Sequence, residues 1–418
     1  MQSARVRSDE IFSLLRPGSL YERPIAERHR FVFYLGHLET FDWNLICAGG
    51  FGMKSLNPEF DKLFAFGIDP TNGNLPNDAA GDWPREREIR KYNERIRAAL
   101  DSCFDQAEDD LLLHVAIEHR LMHAETLAYL LHGLPHSMKK HPAVEKAFIT
   151  PPVLPRQVTI PEGIATLGLD RTSGEFGWDN EFEMHQVHVP AFAIDAYKVT
   201  NGQFLEFVRA GGYSERAFWS TPSWEWITAS GVQHPRFWKP DGEDGAGWRC
   251  RTMFADVEFQ SACPVYVSHA EAEAYCRWKG EILPTEAQYH RAAFGVPSGS
   301  EQLFPWGNSD PQPQHGNFDF QKWDPSPVNA YPAGKSAFGV EDLFGNGWEW
   351  TSTVFAPFDG FERFPFYPGY SADFFDGNHY VLKGGSPRTS ALLLRRSFRN
   401  WFQPRYPNIY ASFRCVQS

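Results

Sequence analysis

His119 and His123 stand four residues apart in the run Glu118–Glu125, and a third histidine, His37, follows Gly36 in the run Tyr34–Glu39. Four residues is one turn of an α-helix, so His119 and His123 leave the same helical face, one above the other. That is how a helix offers two imidazoles to one metal ion. A third imidazole from another helix would complete a facial set and leave the opposite positions open to substrate and oxygen. Two imidazoles on an apolar face are costly to bury without a partner, which favours a ligand role over a packing role. Glu125 is near enough in sequence to orient a ligand from behind, or to serve as a third donor in a His-x-x-x-His-x-Glu run. Glu39 and Glu118 are expected to be solvated or capping residues.

The elements that must position these groups are helices. The spacing predicts helices over residues 28–48, 85–102 and 108–132, and a shorter one near 8–16, together a four-helix bundle of the kind that builds metal sites from facing helices. Glu108, Asp109 and Asp110 suit the positive end of the third helix, and Gly133 and Pro135 stop it. Leu112, Ala116, His119, His123, Leu127 and Leu130 share its face. Past the proline-rich stretch at 150–156, short apolar runs alternate with Gly, Pro, Asn and Asp, as at 191–195 and 380–383. Two short helices are expected there, over 201–210 and 268–280, the second with Ser268 as N-cap and Glu271 at its third position. The predicted domains are 1–150 and 151–418.

Bulk properties narrow the function. The chain has 418 residues, 42% hydrophobic and 22% charged, the balance of a globular protein with room for more than one core. The net charge of -12 and the absence of a long basic stretch argue against nucleic-acid binding. No stretch reaches the ~18 apolar residues of a membrane span, and the N-terminus runs into no apolar segment of the kind a signal peptide needs. The six cysteines are too sparse for a disulfide scaffold and are expected to be buried small hydrophobes in a reduced, cytoplasmic protein. The aromatic content of 15% is high, and aromatic rings can cage a quaternary ammonium ion. Trp348 and Trp350 are expected in the core. Arg85, Arg87 and Arg90 are expected on the surface.

The second half resembles the formylglycine-generating-enzyme (sulfatase-modifying factor) domain, a C-type-lectin-like α+β fold. The resemblance rests on motifs in order from residue 197: Tyr197 to Phe204, Pro264 to His269, Ala274 to Trp278, Leu283 to Ala287, Pro305 to Asn308, Gly345 to Thr351, Lys383 to Ser386, Arg396 to Asn400 and Phe413 to Cys415. The first half resembles a DinB-like helical bundle. That pairing is similar to the non-heme iron sulfoxide synthases of ergothioneine biosynthesis and to the related selenoneine synthases. The resemblance implies Fe(II) on His37, His119 and His123, and O2-dependent bond formation between a sulfur or selenium donor and C2 of the imidazole of hercynine.

Two departures from the family pattern bear on the donor. Members that use γ-glutamylcysteine carry arginines in the segment that here reads Phe64 to Pro76, which has none, and Asp where Phe402 stands after Trp401. A second carboxylate on the donor would need arginine partners. Cysteine or a sugar-linked selenol fits better, and the wording of Phe33 to His37, Phe41 to Leu45 and Phe64 to Pro70 resembles most the selenoneine-synthase branch, which implies a selenosugar donor. The alternative is a hercynine sulfoxide synthase using cysteine or γ-glutamylcysteine. A zinc-dependent DinB-type thiol S-transferase is a further alternative. A formylglycine-generating oxidase is disfavoured, because of its two C-terminal copper-binding cysteines only Cys415 is present after Cys276. The leading candidates for the trimethylammonium head of hercynine are Trp401 and Phe402, with Tyr367 and Tyr370 behind them and Asn400 on its carboxylate or imidazole. Met122 stands where relatives have a polar Gln that contacts the substrate. A tyrosine proton donor is implied, with Tyr367 and Tyr370 favoured and Tyr92 and Tyr129 also available.

Overall fold

The computed structural model describes residues 1–65, 75–104, 110–141, 151–242 and 247–417. The acidic residues Glu108 and Asp109, and positions 66–74 of the segment without arginine, lie outside them. The chain divides into two compact units, Met1–Glu145 and Lys146–Ser418.

The first unit is helical. Its elements are α1 (Gln2–Ser13), α2 (Phe31–Asp42), α3 (Pro58–Leu63), α4 (Glu86–Phe104) and α5 (Asp110–Gly133). α4 is amphipathic: Ile89, Tyr92, Asn93, Ile96, Leu100 and Cys103 are buried at helical spacing, and Arg85, Arg87 and Arg90 are exposed. α2 is different. Every residue except Phe41 is buried, so it runs through the middle of the unit, packed on α4 and α5. α1 lies on α5. The helix expected at 8–16 starts and ends earlier, at Gln2 and Ser13, where Ala4, Ile11 and Phe12 supply its apolar face. The helix expected over 28–48 starts only at Phe31, and from Trp43 to Gly50 it widens into a π-helical segment.

The second unit mixes strands and helices. Its strands are β1 (Gln157–Ile160), β2 (Gly163–Leu167), β3 (His185–Val189), β4 (Phe192–Asp195), β5 (Trp238–Asp241), β6 (Gly247–Arg251), β7 (Asp256–Glu258), β8 (Gly347–Val354), β9 (Tyr380–Gly385), β10 (Asn400–Phe402), β11 (Ala411–Ser412) and β12 (Val416–Gln417). They form small sheets in the orders β1-β4-β12, β10-β9-β8-β11, β2-β3 and β5-β6-β7. Its helices are α6 (Asn201–Arg209), α7 (Thr221–Ser230), α8 (His269–Lys279) and α9 (Glu286–Phe294). α8 begins with the expected capping box of Ser268 and Glu271. Helices α7 and α9 were not expected. α9 is short and buried on most sides, so its apolar residues carry little helical period. A core of Ile160, Ile194, Tyr289, Phe294, Leu343 and Val416 joins α9 to strands from both ends of the unit. Trp348 and Trp350 are buried, and the Trp350 indole N–H donates to the Val267 carbonyl at 2.9 Å. No helix among the described residues is long and apolar enough to cross a membrane.

Candidate metal centre and aromatic cluster

α2 and α5 bring three imidazoles together. One ring nitrogen from each of His37, His119 and His123 lies within 4.8 Å of the others, and all three residues are buried. The Nε2 atoms of His119 and His123 are 3.1 Å apart. Two ligands at right angles on a metal with bonds of about 2.1 Å would be separated by about 3.0 Å. Glu125, half-buried two residues beyond His123, is not part of this group.

His37 is oriented from behind. Its Nδ1 lies 2.7 Å from the carbonyl oxygen of Phe64. A carbonyl only accepts, so Nδ1 carries the proton and Nε2 is left as the basic atom. That Nε2 is buried without a hydrogen-bond partner. An orphaned imidazole nitrogen facing two others is what a metal ion would satisfy. Aromatic rings back the ligands: Phe33 stacks on His37 at 4.7 Å and Phe41 on His119 at 3.5 Å. Burial holds the imidazole of His37 down at about 4, with the Phe64 carbonyl pulling weakly the other way. Burial also pushes His119 and His123 well below the usual histidine range, helped by the neighbouring imidazoles. The rings are therefore neutral at physiological pH, the form that ligates metal.

On the other side of the same helices a buried ion cluster ties α2 to α5. Arg120 is fully enclosed and pairs with Glu39 at 2.9 Å and Asp42 at 2.5 Å. Arg97 of α4 also reaches Glu39, at 2.7 Å. This corrects the expectation that Glu39 is solvated or capping: it is 1% exposed and holds two arginines. Glu118 is buried as well, at 5%. Each is covered by a neighbouring helix, which a reading of single-helix periodicity does not register. The signal in the sequence was the charge itself, an Arg and two acids inside two apolar runs.

In the second unit the tyrosines and Trp401 come together around a residue that sequence reasoning missed. Tyr370 stacks on Trp178 at 3.9 Å and meets Trp401 edge-on at 5.3 Å. Trp401 lies flat on Phe355 at 4.4 Å, with Phe374 at 5.5 Å. Tyr367 is 5.5 Å from Tyr370, and its phenol is pushed up to about 12 by burial and then by the Asp179 carboxylate. Ser371 donates to Asp179 at 2.6 Å. Phe402 belongs elsewhere: it stacks on Tyr406 at 5.5 Å, because neighbours on a strand face opposite ways. The expected pairing of Trp401 with Phe402 in one cage is thus not formed. The Asn400 side-chain oxygen accepts from the Trp401 backbone N–H at 2.9 Å. Met122 is half-buried on α5 between His119 and His123. The other tyrosines are engaged: Tyr92 donates to Asp61 at 2.5 Å and meets Thr40, and Tyr129 donates to Thr126.

Residues 145–418 match the sulfatase-modifying factor enzyme 1-like domain. A hercynine oxygenase of Mycolicibacterium smegmatis is 35% identical over 86% of this chain and 83% of that protein. One from Mycobacterium tuberculosis is 41% identical over 59% of this chain, and the match spans only 57% of that relative's length. Ergothioneine biosynthesis protein 1 of Neurospora crassa is 27% identical over 97% of this chain and 55% of that protein. The chain belongs to the ergothioneine-biosynthesis family, that of the hercynine oxygenases, and carries a sulfatase-modifying factor enzyme 1-like domain.

Proposed function

We propose that this protein is an iron(II)- and O2-dependent enzyme that joins a sulfur donor to C2 of the imidazole of hercynine, a sulfoxide synthase of the ergothioneine pathway. The observation that carries the reading is the buried set of His37, His119 and His123, with the His37 tautomer settled by Phe64. Three neutral imidazoles suit a non-heme iron with open positions. Fe(II), when bound, supplies oxygen activation and lowers the pKa of a coordinating thiol. The protein supplies the rest. α2 and α5 hold the ligand rings in place, and Phe33 and Phe41 keep water from two of them. We assign the trimethylammonium head of hercynine to the faces of Trp401 and Tyr370, the Asn400 amide to its carboxylate or imidazole, and the proton donor to Tyr367 or Tyr370. Phe402 is no longer assigned to the cage. This reading includes a DinB-like ancestry for the helical unit.

The names of the relatives favour a sulfur donor over selenium. One observation keeps a selenosugar as a second reading: Phe402, packed on Tyr406, gives the position an apolar surface with no charge for a γ-glutamyl donor. The test is anaerobic loading with Fe(II), then hercynine with cysteine, γ-glutamylcysteine or a selenosugar under air, following oxygen uptake and product mass. No oxygen uptake with any donor overturns the oxygenase reading. A product that forms only with the selenosugar overturns the sulfur assignment. His123→Ala is expected to remove both iron binding and turnover.

A further inference from the structure

Cys47 and Cys103 are 56 positions apart in sequence, yet their Sγ atoms lie 3.2 Å from each other. Cys47 is fully buried on the π-helical continuation of α2, and Cys103, 5% exposed, is in the last turn of α4. Both are free thiols. A disulfide requires about 2.05 Å between sulfurs, so closure needs about 1.2 Å of approach. Met53 lies over the pair. Its thioether is 3.5 Å from the Cys103 sulfur, its backbone N–H is held by the Cys47 carbonyl at 2.9 Å, and it is 38% exposed. A flexible, half-exposed methionine leaves Cys103 a short path to solvent.

We propose that Cys47 and Cys103 are a redox pair, closed to a disulfide by exchange with a low-molecular-weight disulfide and reopened by thiols. Cys103 loses its proton and its thiolate attacks one sulfur of the small disulfide, expelling a small thiolate. The Cys47 thiolate then attacks the Cys103 sulfur of the mixed disulfide and expels the second. Two protein thiols are oxidised, the small disulfide is reduced to two thiols, and the two protons released from the protein end on them. Cys103 acts first because it is the one that reaches Met53. Burial pushes the Cys47 thiol up to about 12, so it is inert toward solvent and acts only on its neighbour.

The ring so closed spans residues 47–103 and contains Phe64, whose carbonyl orients His37. The cross-link fastens the far end of the His37 helix to the end of α4. A second close pair, Cys276 and Cys415 at 3.1 Å, is an internal comparison: both are buried, and Asp195 sits beside Cys415, where its charge opposes a thiolate.

The test uses the full-length, metal-free protein and is independent of the iron reading. The protein is equilibrated with oxidised or reduced glutathione, quenched in acid, alkylated after unfolding, and its cysteine peptides are mapped by mass. In oxidised glutathione a Cys47–Cys103 cross-link is expected, with a rise in Tm of several degrees that dithiothreitol reverses. Cys47→Ser is expected to trap Cys103 as a mixed disulfide with glutathione, and Cys103→Ser to leave Cys47 unmodified. Full alkylation of both cysteines after oxidising equilibration overturns the proposal, as does a cross-link confined to Cys276 and Cys415. The wild-type map decides the matter even if a serine variant does not fold.

Discussion

His37 Nδ1 is 2.7 Å from the carbonyl oxygen of Phe64, a residue 27 positions away whose ring packs directly against Gly36. His37, the glycine before it and the segment that orients its ring are thus one unit. A Cβ at position 36 would come within 2.5 Å of three ring carbons of Phe64.

Gly36→Ala should therefore displace Phe64 and loosen His37. Orienting partners of this kind are typically worth 10–100-fold in metal affinity, and overpacking costs about 1–3 kcal/mol. Titration with Co(II) and a thermal melt should show both losses. An unchanged Co(II) affinity would mean that Phe64 has no orienting role.

Arg120→Met should leave Glu39 and Asp42 buried without their shared counter-charge. Breaking such a cluster costs about 3–5 kcal/mol. Chemical denaturation would measure it. The further replacement of Asp42 by Asn should recover part of the loss, because Glu39 keeps Arg97 and the stranded charge is then gone. If Arg120→Met alone costs less than about 1 kcal/mol, the cluster is not what ties α2 to α5.

The metal-free protein should be acid-sensitive. His37 has its folded-state pKa lowered from 6.5 to about 4. Between those values the unfolded chain binds a proton that the folded chain refuses, so stability rises with pH across that window and is lost as pH falls through it. His37 alone contributes about 3 kcal/mol in that span, and His119 and His123 act in the same sense. Asp42, raised from 3.8 to about 6 by burial, opposes them over most of the window. Melting curves from pH 7.5 to 4.5 should fall steadily without metal, and at least as steeply with Co(II), which binds only the unprotonated imidazoles and so loses affinity as pH falls. A flat metal-free profile contradicts the buried neutral triad.

Trp401→Ala should weaken binding of a trimethylammonium compound, while Trp401→Phe keeps most of it. A cation–π contact is worth roughly 0.5–2 kcal/mol, or about 2- to 30-fold in Kd. Calorimetry with hercynine, beside histidine as a control lacking the methyl groups, isolates the effect. Equal losses for both ligands would assign Trp401 to packing on Phe355 instead.

Much of this protein is decided locally. The i, i+4 spacing puts His119 and His123 on one face of α5 whatever else the chain does, and Ser268 with Glu271 starts α8 by contacts within one turn. The motifs from Tyr197 to Cys415, read in order, were enough to indicate the family of the second half. What local spacing could not decide is which helix lies beside which. That choice brings His37 to the other two imidazoles, puts the Phe64 carbonyl behind it, and sinks Glu39 and Glu118, which taken alone read as surface residues. Packing between distant segments also stacks Tyr370 on Trp178 and sets Cys47 against Cys103. The physical reason is common to all of them: a periodic pattern fixes the direction of a side chain from its own element, whereas burial, ionisation and hydrogen-bond partners depend on groups far away in sequence, and only the packed fold supplies those.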